Sequence, residues 1–160
     1  MNVQSLLIQT EAWAQEELAA QTRMGKLLEL QLAAVESSDT KALIEAADSI
    51  EAELGRRPAR ELRRTKLMGE FARAFGVSKQ TLTLSSISER AKGLGIATDR
   101  IDAARANVRE AVARSMRLGR KLSVQARYHQ GLFREVLAAI AEGSEQPPDE
   151  ERGAWVHVEA

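Results

Sequence analysis

The chain has 160 residues with 44% hydrophobic and 4% aromatic content, no net charge and no cysteine. The missing cysteines exclude disulfides, thiolate-bound metals and thiol chemistry, and fit a reducing compartment. No apolar run approaches the ~20 residues that cross a bilayer. What remains is one domain by length, built mostly from Leu, Ala, Ile and Val, of the helical-bundle or coiled-coil kind.

In chain order, the first predicted element is a helix over about residues 3–36. Val3, Leu6, Leu7, Ala14, Leu18, Leu28, Leu32 and Val35 recur at three- and four-residue steps, with Trp13, Met24 and Leu27 beside the stripe. The run Ser37-Ser38-Asp39-Thr40 reads as a turn that also supplies an N-cap. A second helix follows over about 40–75, with Leu43, Ala47, Ile50, Leu54, Leu62, Leu67, Met68, Phe71 and Phe75 expected inward. Pro58 falls inside it and should kink or break it, since proline lacks an N–H and clashes with the preceding turn. Gly76 ends it, and a short helix at about 80–92 is bounded by Gly93 and Gly95.

The longest predicted element runs from Thr98 to Gly143. Thr98 is the expected N-cap, Asp99 and Asp102 place negative charge in the first turn, and Gly143 suits a helix end. At 1.5 Å per residue this helix is roughly 65 Å long, so it must lie against other long helices, a partner, or both. Its inward arc is expected to hold Ile101, Ala104, Val108, Ala111, Val112, Ser115, Leu122, Phe133, Val136, Leu137 and Ile140. Its arginines gather on the opposite arc. Val124, Tyr128 and Leu132 form a second apolar row beside that stripe, with Leu118 at its edge, and are candidates for taking the apolar face of a partner helix. Gly119 and Gly131 offer room for a second backbone to approach, although a helix tolerates neutral glycines as well.

The expected fold is therefore all-α: an elongated antiparallel helical bundle or coiled coil of three long helical segments plus one short helix. Residues 1–142 form the bundle, and 143–160 form an acidic tail. That tail joins Glu145, Asp149, Glu150 and Glu151 to Trp155, Val156 and Val158, a short apolar motif suited to docking on the second apolar row or on another protein. Charge is uneven, with an acidic first third, a basic stretch at 56–73 and a basic last helix. Antiparallel pairing of acidic with basic flanks accounts for this, and nucleic-acid binding is disfavoured by the lack of interleaved aromatic residues. His129 and His157 stand far apart, so no metal site, cofactor or catalytic base is expected. An all-helical, arginine-lined enzyme of the chorismate-mutase kind would need its arginines to converge on an enclosed pocket.

Two long helices and a polar turn precede Arg64-Thr65-Lys66-Leu67-Met68-Gly69-Glu70-Phe71, then Phe75-Gly76-Val77, Thr81-Leu82 and the long last helix. This order resembles the FlgN-type flagellar export chaperones over about residues 3–140. In the last helix, Gly119 and Leu122 fit the family's Asn-x-x-Asn-Gly-x-Leu-like run, while Ser115 and Leu118 replace the asparagines, so a role resting on those amides is not carried over. The resemblance implies a cytoplasmic chaperone, not an enzyme. It would bind the C-terminal helices of hook-associated (hook–filament junction) proteins and deliver them to the flagellar type III export gate or its ATPase. A homodimer, a coiled-coil adaptor with no secretion role and a basic-helix nucleic-acid binder stay open as alternatives.

Overall fold

The computed structural model describes residues 2–144. It consists of α1 (Val3–Glu36), α2 (Thr40–Gly55), α3 (Arg57–Phe75), a 3-10 turn (Lys79–Thr81), α4 (Leu84–Gly93) and α5 (Asp99–Ser144). No strand occurs among the described residues. The fold is an all-α helical bundle, and no described helix is long and apolar enough to cross a membrane.

The helix ends follow from local chemistry. The Asn2 side chain accepts the Gln4 N–H, and the Asp39 carboxylate accepts that of Ala42, so each satisfies an otherwise orphaned first-turn donor. Thr83 and Ser86 cap α4 reciprocally. Gly76 takes φ 63° after α3, where the Val77 N–H reaches back to the Ala72 carbonyl. This left-handed position favours glycine.

The chain divides into two compact units, Met1–Leu122 and a second beginning at Ser123, with the boundary inside α5. In the first unit α2 and α3 run antiparallel to α1. Glu53 of α2 meets Arg23 of α1 at 3.3 Å, and Arg60 of α3 meets Glu17 at 3.0 Å. α5 returns parallel to α1, because Arg100, Arg114 and Lys121 pair with Glu11, Glu29 and Glu36 in the same order. The arrangement is up–down–up, and it accounts for the acidic and basic thirds of the sequence: each α5 cation in this series finds an α1 carboxylate.

The core sits where the N-terminal half of α1 meets the ends of its neighbours. Leu6, Leu7, Trp13 and Ala14 pack on Leu67, Met68 and Phe71 of α3, Ile87 and Ala91 of α4, and Ile101 of α5. At roughly 1.5–3 kcal/mol for each large side chain, this cluster is the main stabilising element of the unit. Phe71 is fully buried and stacks on Phe75 with centroids 5.8 Å apart.

Proline 58 breaks the second helix rather than bending it. Arg56 leaves the helix, and Pro58 lies in the first turn of α3, where its missing N–H costs nothing. The inward face keeps its phase across the break, through Ala46, Glu53, Arg60 and Leu67 at seven-residue steps. Leu54 and Leu62, expected in the core, are 49% and 67% exposed, and Ala47 is exposed as well. Glu53 occupies the buried position instead, held by Arg23, Arg56 and Arg60, while the Trp13 indole donates to the Arg60 carbonyl at 3.1 Å. Burial pushes the Glu53 carboxyl up, but the hydrogen-bonded Arg23 guanidinium, with Arg60 and Arg56 beside it, outweighs this and holds it below the usual carboxylate range.

Candidate interaction surface

From Ser123 onward α5 carries a helix surface dense in large apolar side chains. Val124, Tyr128 and Phe133 are 67%, 64% and 70% exposed, and Leu132, Val136, Leu137 and Ile140 are between 40% and 62% exposed. Soluble monomers rarely expose so many contiguous apolar side chains, and such patches mark interaction sites. The Tyr128 and His129 rings meet edge to face at 5.8 Å, keeping the tyrosine side chain close to the helix surface. Arg127 and Arg134 fall on the opposite arc.

Of the residues singled out in the sequence, Val124, Tyr128 and Leu132 lie together on this surface, while Leu118 belongs to the first unit and is partly buried. The expected inward stripe needs correction in its second half. Ile101 is buried and Ala104, Val108, Ala111, Val112, Ser115 and Leu122 are partly buried, but Phe133, Val136, Leu137 and Ile140 are exposed. The reason is one of length: α1 ends at Glu36, whose carboxylate already pairs with Lys121 at 3.5 Å. α1 has no further residues to offer the turns that follow. That signal was available in the sequence, where the last helix is predicted about twelve residues longer than the first.

Gly119 and Gly131 are both open, since a Cβ at either would meet nothing within 4 Å. Gly25 in the first unit does have a neighbour: a Cβ there would stand at an ordinary contact distance of 3.9 Å from Ser115 Oγ, and that hydroxyl donates to the Gln21 carbonyl at 3.3 Å. Next to it, Leu18, Lys26, Glu29, Glu110, Arg114 and Arg117 help line a groove of about 380 Å³ between α1 and α5. Its arginines share the groove with two carboxylates rather than converging on one anion position. No family model matches the chain, and neither a curated protein nor a solved structure is significantly similar to it.

A second polar cluster closes the α4–α5 corner. Asp102 Oδ2 accepts from Lys92 Nζ at 2.8 Å, Ser88 Oγ at 2.9 Å and Thr98 Oγ1 at 3.1 Å. Thr98 precedes α5 as expected, with its carbonyl accepting the Asp102 N–H, but its hydroxyl serves the Asp102 side chain. The Lys92 hydrogen bond draws the Asp102 carboxyl below its usual range against the upward push of burial, with Ser88 and Thr98 adding to the pull. Ser88 is buried and committed to these partners, which makes it a structural hydroxyl rather than a nucleophile. Among the described residues no three His, Asp or Glu side chains gather to hold a metal. The tail residues Trp155, Val156 and Val158 lie outside the described residues.

Proposed function

We propose that the chain is a helical export chaperone, and that the surface of α5 from Val124 to Ile140 takes an amphipathic helix of its client. The exposed apolar row is the observation that carries this reading. A helix face of this kind gains from covering by a partner's i, i+3, i+4 and i+7 side chains. The FlgN-type resemblance in residues 3–140 supplies the client class: the C-terminal helical segments of hook–filament junction proteins, kept export-competent in the cytoplasm and passed to the export gate or its ATPase. The reading asks for no catalytic group, metal or cofactor.

Each large side chain covered contributes roughly 1.5–3 kcal/mol. Ordering the client segment costs about 2–5 kcal/mol, and association entropy takes a further share. The balance corresponds to micromolar or submicromolar affinity. Pull-down of a junction-protein C-terminal segment tests it. Tyr128→Ala and Leu132→Asp should abolish capture while leaving the thermal melt unchanged. Capture that survives both substitutions would end the reading.

A further inference from the structure

The flank of α5 away from Tyr128 carries features that a client on the Val124–Tyr128–Leu132 row does not use. A shallow depression of about 430 Å³ is lined there by His129, Gln130, Phe133 and Arg134. Arg127 follows Arg134 along the same flank at a seven-residue step, and neither has an ion-pair partner among the described residues. Glu135 falls on the Tyr128 flank instead, so no carboxylate competes beside the two arginines.

We infer that residues 145–158 of this same chain fold back along this flank, with Trp155 seated in the depression and Asp149, Glu150 and Glu151 beside Arg134 and Arg127. Length, charge and side-chain chemistry each select this occupant. Arg134 lies roughly 15 Å, and Gln130 roughly 21 Å, back along the helix from Ser144. Pro147 and Pro148 favour an extended chain at ~3.1 Å per residue, so residues 147–151 cover about 15 Å and bring the carboxylates level with Arg134. Residues 152–155 add about 13 Å, enough to carry Trp155 to the depression. Glu145, Asp149, Glu150 and Glu151 outnumber Arg152 in this segment, opposite two arginines that have no other anion. An indole at this place stacks on the Phe133 ring and offers its face to the Arg134 guanidinium. That accounts for a large apolar ring at the end of an acidic, proline-bearing stretch. A tether this short presents the motif at millimolar effective concentration, so contacts of millimolar strength keep it docked about half the time. Docking so finely balanced adds too little to move a thermal melt, and it leaves Val124, Tyr128 and Leu132 open. The inference does not depend on the client reading, and its test uses the chain alone.

Because the chain has no cysteine, intramolecular disulfide closure in dilute solution reads the position of the tail. Val156→Cys is combined either with Gln130→Cys, beside the depression, or with Ala139→Cys, on the Tyr128 flank; both helix positions are exposed. Ala139 is nearer to the tail along the chain, so an undirected tail closes faster there. Docking reverses the order: the Gln130→Cys pair should close several-fold faster. That advantage should shrink in molar salt, which screens the exposed ion pairs. It should vanish when Phe133→Ala and Arg134→Glu are added together, with an unchanged circular dichroism spectrum. Faster closure at Ala139→Cys, equal closure at the two positions, or an advantage that the added substitutions leave intact overturns the inference. So do disulfides that form only between chains.

Discussion

Two phenylalanines on one chain offer a controlled comparison. Phe71 is fully buried against Phe75 and the α1 leucines, whereas Phe133 is 70% exposed. Truncating Phe71 to alanine removes the ring and leaves a cavity in the core, a change that costs about 3–5 kcal/mol. For a chain of this size that is a drop of about 6–20 °C in melting temperature. Phe133→Ala removes as many atoms from a position that touches little of its own chain, and should stay within about 0.5 kcal/mol of the parent. Thermal melts followed by far-ultraviolet circular dichroism read both. Comparable losses in the two variants would mean that the chain's own residues cover Phe133, and the surface argued here would not exist.

Glu53→Gln keeps the shape of the buried side chain but removes one of the two carboxylates on Arg60, the one at 3.1 Å, leaving Glu17 alone. About 1–3 kcal/mol of lost stability is expected in denaturant titration, with the exposed Arg23 and Arg56 adding little. Glu53 and Asp102 both have folded-state pKa values below their ordinary 4.5 and 3.8, so the folded state holds fewer protons than the unfolded one. Their stabilisation is complete above those ordinary values and fades as pH falls through the folded ones, so the melting temperature should decline on acidification, and less steeply in Asp102→Asn. At Gly25 a Cβ has ordinary contact distance to Ser115 Oγ; Gly25→Ala should therefore gain up to about 1 kcal/mol in melts, while Gly25→Leu should lose stability by forcing α1 from α5. Deletion of residues 145–160 should tighten client binding if the tail motif shields the surface, and should abolish export at unchanged affinity if the motif binds machinery.

What the sequence made legible was local. Asp39, Gly76 and Pro58 sit at helix boundaries because capping, left-handed geometry and the missing N–H each act within a turn or two. The apolar period likewise placed Leu6, Leu67 and Phe71 inside. Long-range phase was not legible. The inward face runs through Ala46, Glu53, Arg60 and Leu67 at seven-residue steps, leaving Leu54 and Leu62 to one side, and a buried carboxylate held by three arginines takes the place an aliphatic residue was expected to fill. Periodicity also identifies an apolar stripe without saying where its cover ends, which is why Phe133, Val136, Leu137 and Ile140 read as core. The joining of Ser88, Thr98, Lys92 and Asp102 needed the α4–α5 corner, which no spacing rule supplies.

The central claim is that α5 beyond Ser123 is a client seat, and hydrogen–deuterium exchange with and without a junction-protein C-terminal helix addresses it residue by residue. Amides over residues 123–141 should exchange fast in the dilute free chain and slow markedly on addition of the client, while those of Leu6, Phe71 and Ile87 in the core stay slow in both states. Protection that appears only within residues 2–122, or no change at 123–141 under saturating client, would contradict the account.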